Sequence, residues 1–475
     1  MTNLSGANLN NGTAVGPQGE GKESPSTFPK YPAYKDSGVE WLGEVPDHWE
    51  SRRLKFLFSL QKRPVVDGDG IVTCFRDGAV TLRSNRRTDG FTNAEKEIGY
   101  QGIRKGDLVI HAMDAFAGAI GVSDSDGKSS PVYSACIPNE GVSAYYYARL
   151  LRHMALAGFI SSLAKGIRER STDFRWSDAS EIYLPLPSIS EQLQIARFLD
   201  HETARIDALI EEQQRLIELL KEKRQAVISR AVTKGLDPTV PMKDSGVEWL
   251  GEVPAHWALV PFGLAFEYQE GPGIMAVDFR DEGVPLVRIS GVQGRWVNLE
   301  GCNYLEPSKV KEKWAHFRLD KGDLIISGSA SMGLVSEVGE DAAGAVAYTG
   351  LIRLKPRANV SIRDFIRSVV GSYQFHAQID LLKAGSTIQH FGPTHLSQMK
   401  VVLPPVNEQA QIAAYVDTIS VQFDELLGEA ENTNALLQER RSALISAAVT
   451  GKIDVRGWQP PASTQTPEFE VAEAH

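Results

Sequence analysis

A motif that occurs twice in this chain limits what the chain can fold into. Asp36–Trp49 returns as Asp244–Trp257 with a single change, Asp47 to Ala255. Further pairs follow in the same order: 105–110 with 321–326, and 191–196 with 408–413. An internal repeat of this length indicates duplication of one structural unit. Because little else aligns between these anchors, the sequence predicts one conserved frame around two different globular segments.

Each repeat ends in a segment with the pattern of a long amphipathic helix. Residues 191–232 lack Pro and Gly, and apolar residues recur at steps of three and four from Ile195 to Val227. Ser188 and Glu191 have the spacing of a capping box, so the helix is predicted to begin there. Gly235 and Pro238 supply stop signals at its end.

The second copy, 408–449, keeps the apolar seam with two weaker positions. Pro405 stands where the first copy has its capping serine, and Gly428 costs about 1 kcal/mol relative to Ala. A helix of this length reaches roughly 63 Å, more than a small domain needs for its own core. We expect the two helices to pair as an antiparallel coiled coil. The alternative is that each helix folds back on its own globular segment.

The globular segments are predicted to be mixed in structure. Short β-like runs lie near 107–110, 324–327 and 350–354, and helical pieces lie near 144–156 and 362–382. The fold class is therefore α+β: two mixed α/β domains separated by two long antiparallel helices, with internal pseudo-two-fold symmetry.

Composition excludes some classes of protein. Three cysteines, Cys74, Cys136 and Cys302, lie far apart and form no metal-binding spacing, which favours a reducing compartment. No apolar run is long enough to cross a membrane, and we expect the protein in the cytoplasm. The formal net charge of -10 argues against binding nucleic acid by overall charge alone, so local basic patches matter more.

A search for catalytic motifs finds little. The sequence contains no methyltransferase base-holding motif, no phosphate-binding loop and no zinc spacing, so we expect no cofactor or metal on this chain. Asp114 with Asp126 and Lys128 faintly matches the acid-acid-lysine set of metal-dependent nucleases. However, Asp126 opens a turn dipeptide and the second repeat has no counterpart, so this set is a weak candidate.

The duplicated pattern resembles the specificity subunits of type I restriction-modification systems. The residues that carry the resemblance are the repeated Gly-Val-Glu-Trp-Leu-Gly motifs, the Lys-Gly-Asp-Leu strands, and the exits Leu184–Pro187 and Leu403–Pro405, which lead into the Glu-Gln-x-Gln-Ile helices. The resemblance implies two target-recognition domains that each read half of an asymmetric DNA site, with the helices as a spacer. It implies no catalytic activity for this chain.

The resemblance also implies a domain order and a set of partners. The expected segments are a disordered N-terminal segment (1–27), target-recognition domain 1 (28–187), spacer helix 1 (188–236), a linker, entry motif and target-recognition domain 2 (237–404), spacer helix 2 (405–457) and a flexible tail (458–475). The expected partners are double-stranded DNA, two methyltransferase subunits and motor-endonuclease subunits. S-adenosylmethionine, ATP and Mg²⁺ are expected on those subunits.

Polar and basic residues before the exit strands are the predicted DNA contacts. Arg and Gln can pair with base edges, whereas Lys, Ser and Thr more often hold phosphate. In the first domain the candidates are Arg83, Arg86, Arg87, Arg168, Arg170, Ser171 and Arg175, and in the second they are Arg288, Lys383, Ser386, Thr387, Gln389 and His390.

Three hypotheses remain open from the sequence: the DNA-recognition subunit, a coiled-coil adaptor with two protein-binding heads, and a metal-dependent nuclease. The repeated Trp41 and Trp249 motifs also have two interpretations, as docking surfaces for a partner or as packing at the base of each globular domain.

Overall fold

A computed structural model describes residues 28–86, 97–163, 174–328, 335–383 and 391–461. The chain divides into two compact units. Unit 1 comprises Met1–Glu212 and Thr433–His475, and unit 2 comprises Gln213–Asn432. Each unit therefore contains one globular head and one part of each long helix.

The head of unit 1 is built from short strands and four short helices. Its strands are β1 (Tyr34–Asp36), β2 (Glu44–Pro46), β3 (Glu50–Arg53), β4 (Phe58–Gln61), β5 (Val72–Cys74), β6 (Val80–Leu82), β7 (Gln101–Ile103), β8 (Leu108–His111), β9 (Ile120–Val122), β10 (Gly127–Ser129), β11 (Tyr133–Pro138) and β12 (Tyr183–Leu186). Its helices are α1 (Leu54–Leu57), α2 (Ala144–Leu156), α3 (Phe159–Leu163) and α4 (Trp176–Ala179). The first long helix, α5 (Ile189–Lys234), follows directly.

The head of unit 2 repeats this order with insertions. Its strands are β13 (Met242–Asp244), β14 (Glu252–Pro254), β15 (Ala258–Pro261), β16 (Phe266–Glu270), β17 (Phe279–Arg280), β18 (Val284–Val287), β19 (Asn303–Leu305), β20 (Leu324–Ser327), β21 (Val335–Glu337), β22 (Val346–Ala347), β23 (Leu351–Pro356) and β24 (Lys400–Leu403). Its helices are α6 (Phe262–Ala265), α7 (Pro307–Lys309), α8 (Arg363–Val370), α9 (Tyr373–Lys383) and α10 (Pro393–Gln398), before the second long helix, α11 (Val406–Val449).

Each head contains an antiparallel four-stranded sheet of the same topology. The order is β4-β11-β8-β9 in unit 1 and β16-β23-β20-β21 in unit 2. The predicted runs near 107–110, 324–327 and 350–354 form β8, β20 and β23. The shared order confirms that the frame of the repeat is structural as well as sequential.

The predicted helical pieces are present, with one difference. The piece near 144–156 forms α2 over those residues, whereas the piece near 362–382 is divided into α8 and α9. Gly371 ends α8, and the Ser372 hydroxyl accepts a hydrogen bond from the Phe375 amide at the start of α9. This local cap favours a new helix start over one continuous helix.

The heads differ in what is attached to the common sheet. Unit 1 adds two two-stranded sheets, β5-β6 and β7-β10, around a small apolar cluster that includes Val72 and Val109. Unit 2 adds a second four-stranded sheet, β17-β19-β18-β22, with a cluster that includes Leu286 and Leu305. The inserted structures therefore account for the low similarity between the repeats.

The long helices confirm the predicted capping and pairing. The Ser188 hydroxyl accepts from the Glu191 amide at 3.3 Å, and the Glu191 carboxylate accepts from the Ser188 amide at 3.4 Å. Within unit 1, Arg441 of α11 pairs with Asp207 of α5 at 2.7 Å.

Unit 2 shows the same antiparallel pairing between other turns of the two helices. Arg224 of α5 pairs with Asp424 of α11 at 2.9 Å, and Ile217 packs with Leu427 and Ala430. In both units, later residues of one helix contact earlier residues of the other, as an antiparallel pair requires.

The entry motif of each repeat is bonded to the start of the following long helix. In unit 1 the Trp49 indole N–H donates to Glu191 at 3.2 Å, and His48 Nε2 lies 2.9 Å from the same carboxylate. The buried Gln192 amide accepts from the Ser143 N–H and donates to the Gly141 and Pro187 carbonyls. These contacts join the entry motif, the start of α2 and the exit strand.

Unit 2 repeats these contacts with its own residues. Trp257 donates to Glu408 at 2.8 Å and His256 Nε2 lies 2.9 Å from it, while Gln409 bonds Ile362, Val360 and Pro404. We call His48, Trp49, Glu191 and Gln192, and their four counterparts, the frame junctions. They explain why the Glu-Gln dipeptide and the His-Trp dipeptide are both repeated.

Trp41 supports the packing interpretation of the repeated motif. Its ring lies 5.4 Å from that of Phe159, and it is partly buried against the core of unit 1. Trp249 is likewise partly buried against the core of unit 2. Among the described residues, no helix combines the length and apolar character needed to cross a membrane.

Candidate nucleic-acid interface

Most of the predicted DNA contacts belong to two corresponding segments of the heads. Residues 164–173 connect α3 to α4, and residues 384–390 connect α9 to α10. The predicted residues Arg87, Arg168, Arg170, Ser171, Ser386, Thr387, Gln389 and His390 lie outside the described residues, as does the side chain of Lys383.

The residues that follow these two segments are anchored in the same way. The Phe174 amide donates to the Ala112 carbonyl at 3.0 Å, directly after β8. The Phe391 amide donates to the Gly328 carbonyl at 2.8 Å, directly after β20. Both phenylalanine side chains are buried. In each head, the chain therefore leaves the predicted segment at the same end of the common four-stranded sheet.

Arg175 lies beside this anchor in the first head. It precedes α4, and its carbonyl accepts hydrogen bonds from the amides of Asp178 and Ala179. Its backbone is thus fixed by the first turn of α4, one residue after Phe174.

Arg83 and Arg86 lie on a 3-10 turn that follows β6. Arg83 Nε donates to the Thr73 hydroxyl at 3.4 Å. The Arg86 guanidinium lies 4.5 Å from the centre of the Phe75 ring and is paired with Asp77. Burial raises the pKa of Asp77, but hydrogen bonds from Arg86 and the Ala79 amide outweigh it and leave the pKa below its ordinary value.

These arginines belong to a wider polar cluster at the end of β8. The rings of His111 and Tyr133 meet edge to face at 4.5 Å. Burial raises the pKa of Tyr133 to about 12, while the charge of Arg83 opposes that rise. The positive charge of Arg83 therefore acts on Tyr133, one of the two rings of this cluster.

Arg76 is a member of this cluster that the sequence did not single out. It pairs with Asp114 at 2.8 Å, and 68% of its side chain is exposed. The backbone amide of Asp114 in turn donates a hydrogen bond to His111 Nδ1 at 3.0 Å. A lone arginine before a turn carries no periodic signal, so only the fold could bring it to this surface.

In the second head, Arg288 follows β18 of the inserted sheet and lies near the end of β20, which corresponds to the end of β8 in the first head. Its guanidinium lies 4.4 Å from the centre of the Tyr348 ring and 5.4 Å from that of Phe279, and it donates to Asn303 at 3.0 Å. Tyr348 precedes a turn in which the Gly350 carbonyl accepts from the Gly328 amide at 2.7 Å. Arg288 is therefore held by aromatic rings near the anchor of segment 384–390.

A second exposed basic and aromatic pair lies in the inserted part of this head. The Arg295 guanidinium lies 5.8 Å from the centre of the Trp296 ring, and 54% of Trp296 is exposed. A large exposed aromatic side chain beside an arginine is a common nucleic-acid contact, by stacking and charge together. The isolated Gly-Arg-Trp sequence gave no periodic signal for it.

The nuclease residues are not assembled into one site. Asp114 is paired with Arg76, Asp126 accepts from the Lys105 amide at 2.8 Å, and the Lys128 ammonium is paired with Glu97 at 2.6 Å. Over the described ranges, no cluster of three or more metal-ligating side chains is found. The nuclease hypothesis is therefore not favoured.

Comparisons with known proteins agree on one family. Residues 266–433 match the model of the type I restriction modification DNA specificity domain. The putative type I restriction enzyme MjaX specificity subunit of Methanocaldococcus jannaschii is 23% identical over 448 residues, which cover 87% of this chain and 96% of that protein. The MjaVIII specificity subunit of the same organism is 24% identical over 305 residues, 63% of this chain and 68% of the relative.

The fold has also been seen before. A chain from a solved type I R-M system, described for its complex assembly and conformational transition, superimposes with a TM-score of 0.65 at 17% identity, over 85% of this chain and 98% of the other. The repeated frame, the paired helices, the family model and the near full-length relative all agree. In sequence over most of its length, and in its fold, the chain is similar to the specificity subunits of type I restriction-modification systems.

Proposed function

We propose that this chain is the DNA-recognition subunit of a type I restriction-modification complex and that each head reads one half of a bipartite, asymmetric site. The observation that carries the proposal is that two heads share one sheet topology and one anchor for the predicted DNA segment, yet carry different inserted structures. A common frame with different inserts is suited to reading two different half-sites.

The long helices have a separate role in this proposal. The two helices pair antiparallel within each unit, and we infer that their length sets the preferred spacing between half-sites. The exposed parts of the repeated frame around these junctions offer two related surfaces, which suits the docking of two methyltransferase subunits under approximate two-fold symmetry.

Catalysis is assigned to other subunits. We propose that this chain has no activity alone, that it binds no cofactor, and that S-adenosylmethionine, ATP and Mg²⁺ act on the methyltransferase and motor-endonuclease subunits. On this proposal the complex works in the cytoplasm, where its DNA lies. The adaptor hypothesis lacks a specific supporting observation.

Arg288 provides a direct test. The chain would be assembled with its methyltransferase, and DNA binding would be measured with and without an unlabelled competitor of unrelated sequence. If Arg288 reads a base, Arg288→Ala costs about 1–3 kcal/mol of specific affinity, and Arg288→Lys recovers little because it loses the two-pronged geometry. Arg52→Ala, which removes an exposed arginine paired with Glu50 on β3, is the matched control.

The outcomes separate the hypotheses. Loss of sequence preference in the Arg288 variants, with unchanged thermal unfolding and an unaffected control, supports the proposal. Assembled wild-type protein that binds all sequences equally would refute it.

A further inference from the structure

Unit 2 contains a large open cleft formed by elements of the repeated frame. Its volume is about 1380 Å³, and its walls come from the last turns of α5, the β13-β14 hairpin, the start of α9 and one residue of α11. The residues that line it include Lys221, Arg230, Leu236, Met242, Gln374 and Tyr415.

The corresponding space in unit 1 is filled by aromatic side chains. Phe198 of α5 packs edge to face against Phe28 at 5.1 Å and against Trp458 at 5.3 Å. Trp458 also lies 5.2 Å from His201. The segment after α11 therefore returns to cover the first turns of α5.

The repeat shows which residues of unit 2 correspond to these. Gln194–Phe198 and Gln411–Tyr415 follow the same Glu-Gln motif at the same spacing, so Tyr415 stands where unit 1 has Phe198. The hairpins share one register, with Tyr34 and Met242 each facing the proline that ends the motif strand.

The residues that precede β1 and β13 correspond at the same offset as Tyr34 and Met242. Tyr31 and Phe28 correspond to Thr239 and Leu236. In unit 2 the chain runs from α5 straight into β13, so nothing corresponds to Trp458. The cleft thus occupies the place of aromatic side chains that unit 2 lacks, and Tyr415 is left 39% exposed.

Two polar side chains indicate what the cleft would bind. In unit 1 the Gln194 side-chain amide donates to the carbonyls of Val455 at 3.2 Å and Trp458 at 2.6 Å, which holds the covering segment by its backbone. Its counterpart Gln411 does not line the cleft itself, but it is exposed beside it, one turn before Tyr415 on the same helix face.

Gln374 adds an independent observation. Its side-chain oxygen is buried and has no hydrogen-bond partner within the described part of the protein, although Gln374 lines the cleft. A buried acceptor without a donor costs about 1–3 kcal/mol, so an N–H group from an occupant would be stabilising there. Together, the two glutamines match the donors and acceptors of an extended peptide backbone.

Charges of both signs stand around the cleft. Lys221 and Arg230 are exposed, and the Lys234 ammonium is bonded to the Glu252 carbonyl. Among the acidic side chains of the wall, Asp237 accepts from Thr239 at 2.6 Å, whereas Glu222 and Glu252 are exposed. The cleft therefore carries no excess of either charge, and its backbone-matching glutamines and its open aromatic position define the occupant.

We propose that the unit 2 cleft binds an extended segment of the methyltransferase subunit that carries one aromatic side chain. The proposal rests on the proposed function. The methyltransferase is the occupant because the cleft is built from the frame, which is the surface assigned to that partner, and not from the differing inserts.

The two units differ at this position, and the difference affects how each would hold its methyltransferase. The methyltransferase on unit 1 meets a space already filled by Trp458, while the one on unit 2 meets an open cleft. The two copies are therefore held with different affinity, and the copy on unit 2 depends on Tyr415.

Native mass spectrometry of the assembled complex over a dilution series tests this. Tyr415→Ser is expected to weaken one of the two methyltransferase copies at least tenfold and to leave the other unchanged, and Tyr415→Phe is expected to retain both. Tyr145→Ser, at another exposed tyrosine, is the control. Thermal unfolding of each variant checks that the fold is intact.

Cross-linking identifies the occupant. A photoreactive phenylalanine at position 415 is expected to cross-link to a segment of the methyltransferase that contains an aromatic residue. Cross-links to a second copy of this chain, or a Tyr415→Ser complex that dilutes like wild type, would overturn the inference while leaving the proposed function in place. Wild-type chain that binds no methyltransferase at all would overturn both.

Discussion

Glu191→Ala is the most informative single change in the frame. The Glu191 side chain is only 6% exposed and accepts hydrogen bonds from Trp49, His48 and Ser188. Removing it leaves the buried Trp49 indole N–H without an acceptor, which costs about 1–3 kcal/mol. Loss of the capping box at the start of α5 adds about 1 kcal/mol. We therefore expect unit 1 to lose about 2–4 kcal/mol of stability.

The second repeat supplies the matched control. Glu408 makes the corresponding bonds to Trp257 and His256, but its side chain is 30% exposed, so water can replace part of what is lost. Glu408→Ala should cost only about 1 kcal/mol. Hydrogen exchange with mass spectrometry should show faster exchange in unit 1 peptides for Glu191→Ala and a smaller change, in unit 2 peptides, for Glu408→Ala. Equal effects, or a larger effect of Glu408→Ala, would refute the reasoning.

Three further predictions concern the pKa of Glu191, the packing at Gly451 and the length of the long helices. Burial raises the pKa of Glu191, but its hydrogen bonds outweigh burial and lower the pKa. Its contribution is therefore complete above the unfolded pKa of about 4.3 and is lost as pH falls through the lower folded value. The stability gap between wild type and Glu191→Gln in urea unfolding should close as pH falls below about 4, and a constant gap would contradict this. Gly451→Ala should destabilise unit 1 by about 1–3 kcal/mol because a Cβ there, at φ +72°, would meet Pro46 Cδ at 2.5 Å and Trp49 Cη2 at 2.9 Å. Gly457→Ala, which meets nothing within 4 Å, should leave the melting temperature unchanged. Inserting seven residues after Leu220 and seven after Leu427 keeps the apolar seam and adds about 10.5 Å, so the spacer between methylated half-sites should grow by about three base pairs. An unchanged spacer would exclude the helices as its determinant.

The frame could be predicted from the sequence because it depends on local and repeated signals. The helix period, the Ser188 and Glu191 cap and the paired Lys-Gly-Asp-Leu strands each specify structure over a few residues. The repeat then made the helix period and the strand motif visible twice, whereas the capping serine occurs only in the first copy. The break between α8 and α9 was not predicted, because a single glycine inside a helical pattern does not reveal that Ser372 caps a second helix.

The candidate interface was less accessible to sequence reasoning. Arg288 was predicted as a contact, but its placement against Tyr348 depends on strands far apart in sequence. Arg76 and Trp296 were missed because isolated residues in turns carry no period. The cleft in unit 2 could not be inferred either, since it arises from what the second repeat lacks beside Tyr415.

Mapping methylated adenines across the genome of a host, with and without this gene and its methyltransferase, tests the central claim most directly. We expect a bipartite motif with a fixed spacer that disappears when the gene is removed. Replacing the head of unit 2 between β15 and β24 with that of a relative should change one half of the motif and leave the other half and the spacer intact. Methylation that is independent of this gene, or a head replacement that alters both halves together, would contradict the account.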